Sequence, residues 1–147
     1  MRVVIVGCGR VGSTVAMTLA REGHQVTIVD HEARSFQRRL DPEFPGTKIL
    51  GNAMDEDVLI RAGVEQADVL VTLTNGDNRN IMIAQVAREK FRVPLVLARI
   101  VDSLRAAAFR ELGIETVDQT SIMTNHMRRA ILGGANDEAL AEASVRE

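Results

Sequence analysis

Tryptophan and tyrosine are absent from this 147-residue sequence, and phenylalanine occurs four times. So few aromatic rings leave little on which single-stranded bases could stack. Without tyrosine, the tyrosine–lysine chemistry of short-chain dehydrogenases is excluded. The single cysteine, Cys8, cannot form an internal disulfide or anchor a cysteine-built metal site. No apolar run reaches the ~18 residues of a membrane span. The start, Met1-Arg2 followed by Val3–Val6, is too short for the apolar region of a signal peptide and runs straight into glycine. Charge is balanced, with 18 basic and 20 acidic residues and a net charge of −2. No long run of one sign marks a nucleic-acid face, so no nucleic-acid partner and no membrane insertion are expected. The expected location is the cytoplasm.

What is present is a regular alternation. At ~100–200 residues per domain the length suits one domain. Short β-branched runs are expected as strands at Val3–Val6, Gln25–Asp30, Thr47–Leu50, Asp68–Thr72, Pro94–Ile100 and Ile114–Val117. Between them, helical spacing is read from Val11 to Leu19, Glu32 to Leu40, Asp55 to Ala62, Ile81 to Phe91 and Leu104 to Leu112, with Asp55 as an N-cap and Asn75–Asn78 as a turn. Parallel neighbours require crossover connections, so the pattern predicts an α/β fold: a Rossmann-type, doubly wound, six-stranded parallel sheet. A further helix is expected over Ser121–Leu132, and a tail over residues 133–147.

Gly7-Cys8-Gly9-Arg10-Val11-Gly12 is a GxGxxG placed between the first strand and the first helix. In that context the first glycine makes the turn, the second lets backbone approach a pyrophosphate, and the third lets helix and strand pack closely. The helix start offers free N–H groups to phosphate. Asp30 closes the second strand, 18 residues after Gly12, where a carboxylate can hold ribose hydroxyls. Its charge would repel the extra phosphate of NADP. Arg10 works against the helix dipole; either an anion compensates it, a terminal phosphate of the same nucleotide or of one held by a partner, or it is simply solvated. Cys8 reads as a small packing residue. His31 could cover an adenine edge or lie on the surface.

These residues, with Gly51-Asn52-Ala53, Ala67–Val71, Thr74-Asn75-Gly76-Asp77-Asn78 with Asn80, and Ala98-Arg99, make residues 1–132 resemble the RCK (KTN, TrkA-N) nucleotide-binding domain of Trk/Ktr-type bacterial potassium-uptake regulators. The resemblance implies a regulatory domain, with neither catalytic residues nor metal ligands. Such a domain binds NAD(H) or ATP/ADP, pairs into dimers or rings, and acts on a membrane potassium transporter or channel subunit, which would hold it peripherally at the inner face of the membrane. Carried over by position, Gly7, Gly9, Arg10 and Val11 would hold phosphates, with Cys8 and Gly12 completing the loop. Asp30 would hold the ribose beside His31, and Asn52 and Ala53 would flank the adenine. Thr72, Leu73, Thr74 and Asn75 would line the crevice, and Arg99 would lie near the phosphates or the ligand's end.

Two departures stand out. The family often has Gly-Asp-Ala where Asn52 stands here, and a proline followed by a polar residue where Thr120-Ser121 stand. The last helix carries Ile122, Met123, Met127, Ala130 and Ile131 on one stripe. In the family such a helix crosses to a partner; the alternative is that it folds back on its own sheet. A competing function is an NAD-dependent oxidoreductase whose substrate site is completed by a partner domain.

Overall fold

The computed structural model describes residues 1–133. All but the first residue of the expected tail therefore lies outside the described residues. Six strands, β1 (Arg2–Val6), β2 (Gln25–Asp30), β3 (Thr47–Leu50), β4 (Val69–Thr72), β5 (Leu95–Ile100) and β6 (Glu115–Asp118), form one sheet in the order β3-β2-β1-β4-β5-β6. Every neighbouring pair is parallel. The helices are α1 (Arg10–Arg21), α2 (Ala33–Arg39), α3 (Glu56–Arg61), α4 (Asp77–Gln85), α5 (Ser103–Arg110) and α6 (Gln119–Ile131). This is the doubly wound arrangement that the alternation predicts, with the strand order reversing between β1 and β4.

Both faces of the sheet are covered, which is why its strands are nearly continuous in apolar residues. Val4, Val6, Val29, Leu70, Val96, Ala98 and Ile100 pack against Val58, Leu59, Ile81, Ile83 and Ala106 from α3, α4 and α5. The opposite side chains, Val3, Ile5, Val26 and Ile28, pack against Ala16 of α1 and against Leu40 and Phe44 beyond α2. Side chains alternate along a strand, so one register serves two cores.

Aspartates start three helices. Asp55 accepts from the Asp57 N–H and Asp102 from the Leu104 N–H, each at 3.0 Å, and Asp118 accepts from the Ser121 N–H at 2.9 Å. Two helix starts differ from the expected ones by more than one residue. Helix α4 begins at Asp77, four residues before Ile81, because its first turn is polar and carries no periodic signal. Its continuation, Val86–Lys90, is a π-helical turn closed by the Phe91 N–H on the Val86 carbonyl. Helix α6 starts at Gln119, directly after its Asp118 cap.

Asp118 is nearly buried, and its carboxyl is held below the ordinary 3.8, chiefly by the Ser121 N–H. Burial opposes this, while the Ser121 and Ser103 hydroxyls and the charge of Arg110 add to it. A carboxylate with a lowered folded pKa contributes stability that is complete above its unfolded value and lost as pH falls through the folded one. Asp118→Asn is expected to lower stability by about 1 kcal/mol at neutral pH, the usual scale of a helix cap. In urea titrations the gap to the wild type should narrow below the ordinary carboxylate value of 3.8.

Candidate functional site

At the carboxyl ends of the strands, three backbone bonds continue the ladder into the loops. The Gly7 N–H donates to the Val29 carbonyl at 2.8 Å, the Leu73 N–H to Val6 at 2.7 Å and the Gly51 N–H to Asp30 at 2.9 Å. These bonds bring four loop starts into one row. Between them lies a cavity of about 470 Å³, within the usual range for small-ligand sites.

The three glycines of the loop answer to different constraints. Gly7 has φ +105°, and a Cβ there would sit 2.7 Å from the Leu73 carbonyl oxygen. A Cβ on Gly12 would lie 1.9 Å from the Gly7 oxygen. Gly9 is different: a Cβ there would meet nothing within 4 Å, and the residue borders the cavity. The fold thus requires the outer glycines, whereas the middle one keeps space open in front of α1. Gly9 is also the N-cap of α1, which has no side-chain cap and no acid in its first turn. Ser13 and Thr14 turn their hydroxyls back to the Arg10 carbonyl. The first-turn amides, which follow Gly9 at the cavity, therefore have no side-chain acceptor.

Asp30 has two bonds already. One carboxylate oxygen accepts from the Cys8 N–H and the other from the Glu32 N–H, each at 2.8 Å. Each oxygen keeps a further lone pair, so the carboxylate both pins the glycine loop and can accept from a ligand. His31 stands 3.7 Å from Asp30, beyond hydrogen-bond distance, with its ring largely exposed. Cys8 is buried with its sulfur 3.7 Å from the Ser35 carbonyl. Burial first, then the charge of Asp30, pushes its thiol up to about 11 against a smaller opposing effect of Arg39. A thiol so held is a packing group, not a nucleophile.

Of the residues singled out from the sequence, Gly7, Cys8, Gly9, Asp30, His31, Asn52, Ala53, Leu73, Thr74 and Asn75 line this cavity. Arg10, Val11, Gly12, Thr72 and Arg99 do not. Arg10 and Val11 are exposed at the start of α1, and Gly12 is buried against Gly7. Thr72 is fully buried and donates its hydroxyl to the Asn80 carbonyl. Arg99 presents its backbone carbonyl to Asn80, and its Nε is buried with no partner among the described residues. The cavity also takes in Gly51 of the Gly51-Asn52-Ala53 motif, and Glu32, Ser35, Met54, Arg79 and Ile83, which were not singled out. Arg79 and Ile83 lie four apart on α4; starting that helix at Asp77 would have placed both on one face.

Asn80 was not foreseen as an anchor. Its Oδ1 accepts from the Thr74 N–H at 2.9 Å and the Thr74 hydroxyl at 2.7 Å, and its Nδ2 donates to the carbonyls of Thr74 at 3.1 Å and Arg99 at 2.9 Å. At 1% exposure, all four bonding positions of this amide are satisfied by protein. It joins the cavity wall at Thr74 to the end of β5. No cluster of three or more His, Cys, Asp or Glu suited to a metal ion occurs among the described residues.

The fold and this crevice define a Rossmann-type nucleotide-binding domain. Residues 3–120 match the TrkA-N domain model, and the chain belongs to that family. It is 44% identical over 132 residues to a "Trk system potassium uptake protein TrkA" of Streptomyces coelicolor, covering 90% of this chain and 59% of that protein. To the protein of that name from Halomonas elongata it is 35% identical over 144 residues, covering 89% of this chain and 30% of that protein. The chain thus spans well under two thirds of either relative. Among solved structures it resembles the Kef CTD of Shewanella denitrificans in AMP-bound form, with TM-score 0.75, 25% identity, and 98% and 88% of the two chains covered. It also resembles the TrkA-N domain of the Escherichia coli inner membrane protein ybaL, with TM-score 0.78, 22% identity, and 88% and 95% covered.

Asn80→Ala is expected to destabilise the domain by about 1–3 kcal/mol, because it removes the partner of the part-buried Thr74 N–H and Arg99 carbonyl. Asn80→Asp should do no better, since it turns an acceptor toward two carbonyls. Chemical denaturation followed by circular dichroism measures both.

Proposed function

We propose that this chain is a nucleotide-sensing domain of a regulatory subunit in a potassium transport system. In this reading an adenine nucleotide, NAD(H) or ATP/ADP, occupies the cavity at the β1–β4 switch point. Its binding favours one shape of an assembly that acts on a membrane partner. Support for the ligand class comes from the open space at Gly9, the one loop glycine that the fold itself does not require. A phosphate group approaching backbone needs that gap. The AMP held by the Kef CTD, and the potassium-uptake names of the Trk relatives, point the same way.

The chain's own residues divide the ligand between them. The amides at the start of α1 attract phosphate through their free N–H groups and the helix dipole. Asp30, fixed by two backbone amides, accepts from ribose hydroxyls and repels the 2′-phosphate of NADP. Ala53, Met54 and Ile83 offer an apolar slot to the base. We favour a binding domain over an oxidoreductase because no buried acid–base pair among the described residues lines this cavity; His31, the one histidine among those lining it, is exposed at the sugar end.

A route for the signal is built from hydrogen bonds. From Thr74 it passes through Asn80 to Arg99. Asp77 in the same helix accepts from the Val101 N–H at 2.9 Å and the Asp102 N–H at 3.0 Å, and the Thr120 hydroxyl donates to the Val101 carbonyl at 2.7 Å. The route ends at the base of α6, where Met123, Met127 and Ile131 are all more than half exposed. None of the residues of α6 is buried by the described chain, which supports pairing with a second copy through this face. A ligand shifts such an assembly only by its differential affinity for the two shapes, commonly about 1–3 kcal/mol.

Calorimetric titration with NADH, NAD, ATP and ADP is expected to show binding without turnover. Gly9→Ala should fold normally, since its Cβ meets nothing within 4 Å. It should nevertheless weaken binding by about tenfold or more, because close backbone approach is lost. Unchanged affinity would place the ligand elsewhere. Met127→Glu should lower the mass found by sedimentation from dimer toward monomer, and an unaltered mass would remove α6 from the interface.

A further inference from the structure

The loop after β3 fixes one side chain more tightly than its exposure suggests. The Asn52 carbonyl accepts from the Asp55 N–H at 2.9 Å, and its Oδ1 accepts from the Met54 N–H at 3.0 Å. An amide nitrogen cannot accept a hydrogen bond, so this contact settles which way the Asn52 amide points. Oδ1 is turned to the backbone. Nδ2 is left as a donor with no protein partner among the described residues, on a side chain that lines the cavity beside Ala53 and Met54. Arg79, on the α4 side of the cavity, is likewise a donor without an acceptor among the described residues.

We infer that the site does not select adenine over 6-oxopurines: Asn52 reads an acceptor on the base edge, which both kinds of purine nucleotide present. This rests on the nucleotide reading above, with the base in the slot beside Ala53. Adenine offers ring nitrogens N1 and N7 as acceptors. Hypoxanthine offers N7 and, between the N1 and N7 positions, O6. A lone donor is satisfied by any of these. An aspartate in the same turn would keep one oxygen on the Met54 N–H and turn the other toward the base. With the N7 edge of the base toward residue 52, away from the N1–H that hypoxanthine could donate, that acceptor would pair with the 6-amino group of adenine and face the 6-oxo oxygen of hypoxanthine unpaired, an arrangement that discriminates strongly. The two carboxylates of the cavity, Asp30 and Glu32, stand at the end of β2 and face the sugar in this reading.

The test compares ADP with IDP by calorimetry on the full 147-residue chain. Wild type should bind the two within roughly threefold of each other, and Asn52→Asp should keep ADP while widening the ratio to about tenfold or more. The variant preserves the Met54 contact in an exposed loop, and thermal unfolding checks that it folds. Wild-type rejection of IDP by tenfold with ADP bound overturns the inference, as does an Asn52→Asp ratio equal to the wild-type one. If neither nucleotide binds, the nucleotide reading itself falls, a result distinct from selective loss of IDP.

Discussion

The close approach of Gly12 to the Gly7 carbonyl is the contact on which the rest of the site depends. With a Cβ at Gly12 only 1.9 Å from that oxygen, any side chain would push α1 away from the end of β1. The helix axis, its free amides and the gap at Gly9 would move with it. Gly7 is held in turn from both sides, its N–H on Val29 of β2 and its backbone against Leu73 beyond β4. Asp30 completes the clamp by accepting from the Cys8 N–H between the two glycines. A carboxylate that could serve a ligand is thus also part of the scaffold. Removing it would loosen the loop as well as any sugar contact, which is why the middle glycine is the cleaner probe of binding.

The frame of the molecule was legible because its signals are local. Val3–Val6 ending at Gly7, and Gln25–Asp30 ending in an acid, declare strand, turn and anchor within a few residues. The cap at Asp55 was legible for the same reason. The early start of α4 was not, because Asp77, Asn78 and Arg79 are polar and periodicity registers only apolar residues. That one boundary hid the wall residue Arg79, one turn before Ile83. Asn80 was hidden for a different reason. An asparagine is usually a turn or surface residue, and only the folded chain brings Arg99, nineteen residues on, against its amide. Thr72 shows the reverse error: a polar residue at the end of a strand reads as crevice lining, yet its hydroxyl satisfies a buried carbonyl.

Multiply bonded polar side chains also explain how a small domain can hold the carboxyl end of β5 in one geometry. Asn80, Asp77 and Asp118 each tie elements distant in sequence, and each is satisfied by several partners. A network of this kind holds one geometry well and tolerates intermediate ones poorly, because a partly satisfied buried amide is costly. The carboxyl end of β5 is where these ties meet. Through Asn80 and Asp77, α4 thus joins Thr74 to Arg99, Val101 and the start of α6.

The topology adds a reason for the cavity to be sensitive to what fills it. Helices α1 and α2 pack on one face of the sheet, α3, α4 and α5 on the other, and the two layers meet only at the strand ends. Gly9 and Ser35 line the cavity from the first layer; Arg79 and Ile83 line it from the second. Any ligand bridging them adds cohesion between layers that the sheet otherwise holds apart, and its charge acts on Arg79 and Asp30 at once. Ligands that share a base and sugar but differ in their far end would touch Asp30 and the slot at Ala53 and Ile83 alike and the start of α1 differently. Such a difference in contact, not tight binding as such, is what a domain needs if it is to distinguish one nucleotide from another.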